Sequence, residues 1–212
     1  MTLPPRAAAI RGDDYQHMIG AYHACRALTD PDITSVSVED ADGGAFDDVV
    51  VRMRAGSAAP HHYIQVKSSN YNNRIVDDDW LLTATTNTGK SPLQHFHATW
   101  QRLLAAGEPF ELTLLSNRNF SDTDTLLALI DRTTDTIPTA ALTGVSSRTN
   151  VGKALKRWAG HLNIDVEVLI AFLGDVTFVH GESVQSWGRR CRPEMRNAGL
   201  RDDPDAVVTL QS

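Results

Sequence analysis

Two neighbouring segments of this 212-residue chain carry polar residues of the types and spacing that hydrolytic metal centres use. Asp47 and Asp48 stand at the start of one apolar run, and Gln65 and Lys67 lie within the next. Because side chains alternate across a strand, Gln65 and Lys67 share one face of theirs. A Lys on a buried strand needs a counter-charge, and Asp47 and Asp48 are the nearest candidates along the chain.

The chemistry that such a group can perform is phosphodiester hydrolysis. That reaction needs a divalent cation held by hard oxygen ligands, and a positive side chain that positions water or stabilises developing charge. Carboxylate, amide oxygen and ammonium supply these parts. The interval from Asp47 to Gln65 has room for a strand, a turn near residues 55–57 and a second strand, so the two ends can converge.

These segments resemble the PD-(D/E)XK restriction-endonuclease-like superfamily, in the variant where Gln replaces the acid of the E-x-K half-motif. The matching pieces are FDDVVV at residues 46–51 and YIQVKSS at 63–69. A third piece, RGDDYQ at residues 11–16, is a Gly-x-x-Tyr-Gln element that opens a helix. Together they resemble the N-terminal double-stranded-DNA endonuclease domain of bacterial antiphage effectors, including those of cyclic-oligonucleotide-signalled systems.

The resemblance implies a role for each matching residue. Asp47 is then the main metal ligand, Gln65 a second ligand through its amide oxygen, and Lys67 the catalytic cation. Asp48 is the alternative to Asp47, which fits the superfamily pattern slightly better because one polar residue separates it from the apolar run. The implied cofactor is Mg²⁺ or Mn²⁺, and the implied substrate is double-stranded DNA.

Two further residues have an open role. Glu39 ends the run at residues 33–39 and is either another metal ligand or a solvated side chain. Gln16 either faces the site from the first helix or caps its own turn. An unrestrained nuclease is toxic, so the resemblance also implies control by a sensor domain, a partner chain or oligomerisation.

Candidate DNA-binding residues lie outside this group. Arg189 and Arg190 belong to the last helical segment, which together with residues 153–157 carries the densest positive charge. Asn72 lies in a polar loop over residues 68–79, beside the proposed site. For each of the three, an ordinary solvated surface is the competing interpretation.

The composition is that of a globular protein. With 42% hydrophobic and 22% charged residues and no apolar run of bilayer length, the chain is predicted to be neither disordered nor membrane-spanning. The net charge of −6 argues against indiscriminate nucleic-acid binding unless basic groups are gathered on one face. Cys25 and Cys191 lack metal-site spacing, and no secretory signal opens the sequence, so we expect a cytoplasmic location.

The elements that position the candidate residues can be predicted from periodicity and turn residues. We predict a helix over residues 14–28, strands over 33–38, 49–53 and 63–67, a helix from Pro92 to Gly107, and a strand over 110–116. Further along we predict helices over 122–130, 151–162 and 165–173, a short strand over 176–179, and a helical segment over 183–200. Pro193 argues against one straight helix in that last segment.

This order predicts an α/β fold with a central mixed sheet of about four to five strands flanked by helices. The resemblance equates it with a restriction-endonuclease-like core. We assign residues 10–118 to this catalytic core and 119–212 to a mainly helical extension. The whole of 1–212 is then a single nuclease domain, or the N-terminal part of a longer effector.

Two other functions compete. Residues 84–91, ATTNTGKS, are one glycine short of a phosphate-binding G-x-x-x-x-G-K-S loop, but no buried strand precedes them, and Ser91 and Pro92 suit a helix start instead. Alternatively, the Gln at position 65 weakens metal affinity, and the domain is a catalytically inactive DNA-binding or assembly module. The retained Lys67 argues against that alternative.

Overall fold

The computed structural model of the chain describes residues 5–68, 75–85 and 89–201, with the side chains of residues 5–13 left out. The elements, in chain order, are α1 (Pro5–Ala27), β1 (Ile33–Val38), β2 (Val49–Met53), β3 (His61–Lys67), α2 (Asp78–Leu82), α3 (Pro92–Ala106), β4 (Phe110–Ser116), α4 (Asn150–Leu162), α5 (Val166–Gly174), β5 (Val176–His180) and α6 (Val184–Asn197).

The five strands form one mixed sheet in the order β1-β2-β3-β4-β5. The β1–β2 and β2–β3 pairs are antiparallel, and the β3–β4 and β4–β5 pairs are parallel. The predicted α/β fold, with its flanking helices and mainly helical C-terminal part, is confirmed. This topology brings the ends of β1, β3, β4 and β5 and the start of β2 to one side of the sheet, which we call the carboxyl edge.

The sheet is covered on both faces. One face, here called the α3 face, packs against α3, α4 and α5, and the other, the α1 face, packs against α1 and α6. The α3 face presents the strand residues Val50, Tyr63, Leu112 and Leu114. The α1 face presents Val49, Val51, Ile64 and Val66. Neighbouring strand residues thus alternate between two apolar cores, as a sheet buried on both faces requires.

The helix α3 begins and ends as its sequence predicts. The Ser91 hydroxyl accepts a hydrogen bond from the Gln94 N–H, and the Gln94 side-chain oxygen accepts one from the Ser91 N–H, which is a capping box. Gly107 ends the helix in the left-handed conformation, with φ of 73°. The element that precedes α3 is the short helix α2 and not a buried strand, which disfavours the phosphate-loop hypothesis.

Two predictions about the C-terminal part were wrong. No α-helix forms over residues 122–130, where the structure has only a 3-10 turn at Leu127–Leu129. The Ser121 hydroxyl accepts the main-chain N–H groups of Thr123 and Asp124, and such local bonds compete with a helix start. The second error concerns α6, which continues through Pro193 as one helix. Pro193 is on the exposed side, where water can satisfy the carbonyl that proline leaves without a donor.

Smaller differences concern element bounds. The first helix starts earlier than predicted, at Pro5, and the segment predicted as a loop over residues 68–79 ends in α2. Among the helices of the described ranges, none is long and apolar enough to span a membrane.

Candidate active site

The carboxyl edge brings Asp48 directly against Gln65. The β2–β3 register pairs Val49 with Ile64, so Asp48 is the next residue outward opposite Gln65. The Asp48 Oδ2 atom accepts the Val66 main-chain N–H at 2.6 Å and also accepts a hydrogen bond from the Gln65 amide. The carboxylate is therefore fixed in orientation by the neighbouring strand before any ligand arrives.

Asp47 occupies a different position in the same group. Its main-chain carbonyl accepts the Asp40 N–H at 2.9 Å, which closes the turn ahead of β2. Its side chain lines a cavity together with Gln65 and Lys67. The structure thus brings both acids to the predicted group, and the one in hydrogen-bond contact with Gln65 is Asp48.

Lys67 ends β3 and is mostly buried at the same edge. Burial lowers the pKa of its ammonium, while the charges of Asp48 and then Asp47 act in the opposite direction. Burial likewise raises the pKa of the Asp48 carboxyl, opposed by Lys67 and by the Val66 N–H. Each charge thus offsets part of the desolvation cost of the other. Asp48 and Asp47 are the counter-charges that the sequence predicted for Lys67.

Gln16 and Glu39 hold the turn that carries the acids. The buried Gln16 donates its amide N–H to the Asp48 carbonyl at 3.1 Å, and the Glu39 main-chain N–H donates to the same carbonyl at 3.2 Å. Of the two alternatives for Gln16, the structure shows the one in which it faces the site. Glu39 is exposed, and its charge contributes to the raised pKa of Asp48.

A second cation near Lys67 was missed by the sequence analysis. Arg118 follows β4 and donates a hydrogen bond to the Ser68 carbonyl at 3.1 Å, and its charge lowers the pKa of Lys67 further. The parallel β3–β4 register, which pairs Lys67 with Ser116, places it there. Nothing in the sequence signals that register, since parallel partners are joined through a distant crossover.

A cavity of about 640 Å³ opens from this group onto the α3 face. Asp47, Gln65 and Lys67 line one end, and the aromatic rings of Trp80 and Phe96 line another part. The sequence gave no sign of a cavity, because the shape of the cavity depends on how α2 packs against α3.

A glycine sets the approach of the acidic turn to α3. Gly44 has φ of +68°, and a Cβ placed on it would lie 2.7 Å from the Thr99 hydroxyl oxygen. That hydroxyl accepts the next main-chain N–H, from Ala45, at 2.8 Å. Only glycine combines this backbone conformation with so close an approach, so Gly44 fixes the distance between the acids and the wall of the cavity.

The donor atoms of the group fit a hard divalent cation. Asp48 and Asp47 supply carboxylate oxygens, and the Gln65 amide supplies an oxygen if it turns over, since its two ends are interchangeable in shape. Within the ranges that the structure covers, no three His, Cys, Asp or Glu side chains are grouped to hold a metal. A metal here would therefore depend on the amide as well as on the two acids.

Two of the proposed DNA-binding residues, Arg189 and Arg190, do not line the cavity. Arg189 is exposed on α6, the helix that packs against α1. Arg190 pairs with Glu182 at 2.5 Å, and its guanidinium carbon lies 4.9 Å from the centre of the Trp187 ring. Asn72 falls outside the described residues.

Comparison with known proteins does not identify the chain. No model of a known protein family matches it, and no curated protein matches it either. The residues of the carboxyl edge and the resemblance in sequence are therefore what indicates a function.

Proposed function

We propose that the chain is a metal-dependent endonuclease that hydrolyses phosphodiester bonds of double-stranded DNA. The observation that carries this proposal is the convergence of Asp48, Gln65 and Lys67 at the carboxyl edge, beside a cavity that Asp47 also lines. The resemblance to the restriction-endonuclease-like superfamily involves the same residues. It supports the same assignment of roles to these residues.

Each residue has a defined task in this proposal. Asp48, Asp47 and Gln65 would hold Mg²⁺ or Mn²⁺, which when bound supplies activation of water and stabilisation of phosphate charge. Lys67 presents its ammonium to the attacking water or to the extra negative charge of the five-coordinate phosphorus. Because Lys67 is mostly buried, that electrostatic stabilisation is stronger than it would be in bulk water.

The surrounding contacts keep the acids ready for this task. The Val66 N–H fixes the Asp48 carboxylate, while Gln16 and the Glu39 N–H fix its main chain. Fixed donors and acceptors need little reorganisation when the reaction occurs. Glu39 itself is close enough to act electrostatically on Asp48 and remains a candidate further ligand.

A catalytically inactive DNA-binding or assembly module of the same fold is the second candidate. It is favoured by the amide at position 65, which binds a cation more weakly than a carboxylate would. Against it stands the burial of Lys67, whose desolvation opposes folding and serves no purpose in a module without chemistry. We therefore favour the nuclease.

The biological setting is proposed from the resemblance. An antiphage effector in the cytoplasm, restrained by a sensor domain, a partner chain or oligomerisation, is the setting that the matching segments imply. Both cysteines, Cys25 and Cys191, are free and buried, which suits a reducing compartment. The restraint explains how such a centre could be carried safely by a cell.

The test is cleavage of supercoiled plasmid by the purified chain in Mg²⁺, in Mn²⁺ and in excess chelator. Lys67→Ala, Asp47→Ala and Asp48→Asn are run beside the wild type. We expect nicking that needs the metal and is lost in Lys67→Ala and Asp48→Asn. The Asp47→Ala lane shows whether the second acid is also required.

The opposite results are equally informative. Equal nicking by wild type and Lys67→Ala would attribute the activity to a contaminant and contradict the proposal. Plasmid binding without cleavage in any lane would favour the inactive module.

A further inference from the structure

We propose that the cavity beside Lys67 holds a nucleobase that has left the base stack, so that the chain acts on DNA in which a nucleotide is unpaired or extruded. This inference rests on the proposed function and specifies its substrate. It concerns the cavity between the carboxyl edge and α3, whose apolar lining takes no part in the metal chemistry itself.

The walls of the cavity suit a flat aromatic ring. The half-buried Trp80 offers its ring to the cavity, and Phe96, which is only 4% exposed, lines it behind Trp80, with ring centres 6.3 Å apart and planes inclined at 51°. Pro92 and Ala98 extend the apolar lining. Stacking on aromatic side chains is how proteins hold single bases without regard to sequence, since every base has the same kind of apolar face.

The rim of the cavity carries polar groups that suit the edge of a base. His95 and Arg102 both line it from α3, and the Arg102 guanidinium is held by the Asp42 carbonyl at 2.5 Å. Base edges present hydrogen-bond donors and acceptors in one plane. A cavity with apolar walls and a few polar groups is the usual form of a small-ligand site, and about 640 Å³ is an ordinary volume for one.

The cavity is continuous with the proposed catalytic group. Asp47, Gln65 and Lys67 line the same space as the aromatic rings, so a phosphodiester at Lys67 would place its attached nucleoside at or in the cavity. A base inside an intact duplex has both faces stacked and cannot contact Trp80 or Phe96. Only an unpaired or extruded base can, and extrusion is easiest at a mismatch.

The proposal is tested by DNA binding in excess chelator, where no cleavage occurs. Three fluorescein-labelled duplexes of one sequence are compared by anisotropy: one fully paired, one with a central mismatch, and one in which both nucleotides of the central pair lack a base. We expect the wild type to bind the mismatched duplex about tenfold more tightly than the paired one. The duplex without central bases should lose that advantage, because it is flexible but has no base to insert.

A cavity-filling variant links the preference to this site. Ala98 is exposed and lines the cavity, so Ala98→Trp fills it without removing a core side chain. Ala105→Trp, about two turns further along α3 and outside the lining, is the matched control. We expect Ala98→Trp to bring the affinities for mismatched and paired duplexes within twofold of each other, and Ala105→Trp to leave the wild-type difference unchanged.

The outcomes separate this inference from the nuclease proposal. Equal binding of all three duplexes by the wild type, or a preference that survives Ala98→Trp, would overturn the base-binding cavity even if plasmid cleavage is observed. A mismatch preference abolished only by Ala98→Trp would establish the cavity even if no cleavage is ever seen.

Discussion

Among the described residues, Asp48 and Asp78 are two acids shielded from water beside a cation, and the charges around them are arranged differently. At the carboxyl edge, Asp48 meets Gln65 and the buried Lys67. Between α2 and α4, Asp78 makes a direct ion pair of 3.0 Å with Arg157. We call these the edge cluster and the helix cluster.

The helix cluster has the features of a structural contact. Asp78 joins two further elements, since its main-chain N–H donates to the Asp124 carboxylate at 2.8 Å. The Arg157 side chain is 53% exposed, so water solvates much of its charge. Such a pair connects two helices while its cation stays partly in water.

In the edge cluster the cation is mostly buried, in contrast to the half-exposed Arg157. Lys67 is mostly buried, and within the part of the chain that the structure covers no direct ion pair joins it to Asp47 or Asp48. Burial raises the pKa of Asp48 and of Asp78 alike, so the acids alone do not distinguish the clusters. The comparison teaches that the cation distinguishes the two clusters. A cation that is buried beside acids without a direct ion pair to them is available for chemistry.

The largest expected contrast is in catalysis. Asp48→Asn and Asp78→Asn make the same chemical change in the two clusters. We expect Asp48→Asn to lower the rate of Mg²⁺-dependent plasmid nicking by about 100-fold or more, because it removes a charge at the reacting centre. Asp78→Asn should keep the rate within about threefold of wild type per folded molecule. Similar losses in both variants would mean that the clusters do not differ as described.

The next contrast is in stability. Burial lowers the pKa of Lys67 in spite of the two acids beside it, so Lys67→Met should raise the free energy of unfolding by about 1 kcal/mol. Arg157→Met removes a half-exposed ion pair and should lower it by about 0.5 kcal/mol. Urea unfolding in chelator at neutral pH measures both. A loss of stability in Lys67→Met would show that this ammonium supports the fold.

A pH titration sharpens the same comparison. The raised pKa of Asp48 means that the folded, metal-free protein binds a proton more tightly than the unfolded chain, whose Asp has its ordinary pKa of 3.8. Stability therefore falls as the pH rises through the window above 3.8. Asp48→Asn removes this pH dependence. The variant should therefore have a larger free energy of unfolding than wild type at neutral pH, and the difference should disappear below about pH 3.8.

The control for this titration is Asp79→Asn, which removes one negative charge from a side chain that is 94% exposed. Unfolding free energies measured across the acid range in chelator give both differences. If the Asp48→Asn difference stays constant with pH, the buried carboxyl does not titrate as described.

The smallest expected effect extends the comparison to α6. Both arginines are exposed, and Arg190 is engaged by Glu182 and Trp187. Arg189→Ala should reduce the slope of log affinity against log salt by about 0.9, the value for one phosphate contact. Arg190→Ala should leave that slope unchanged. Anisotropy titrations at several salt concentrations measure the two slopes. An equal change in both variants would show that Arg190 also contacts a DNA phosphate.

The sequence predicted much of the edge cluster because its determinants are local. Alternation along β3 put Gln65 and Lys67 on one face, and a hairpin-length interval brought the acids opposite them. The choice between Asp47 and Asp48 could not be made from the sequence, since a one-residue change of register exchanges the faces. The contacts that favour Asp48 depend on where the β2–β3 pairing ends.

The features that the sequence missed depend on packing between distant elements. Trp80 becomes a wall of the cavity only because α2 lies against α3. Arg118 comes near Lys67 through the parallel β3–β4 register. The helix predicted over residues 122–130 failed for a related reason, since Asp124 is used to bind the start of α2.

The most direct measurement is a calorimetric titration of Mn²⁺ into wild type, Asp48→Asn and Asp78→Asn, each first freed of metal. If the edge cluster is a hard-cation centre, wild type and Asp78→Asn bind Mn²⁺ with a saturable heat, and Asp48→Asn loses that heat. Saturable binding that is unchanged in Asp48→Asn, or that is lost only in Asp78→Asn, would contradict a metal centre at Asp48, Asp47 and Gln65.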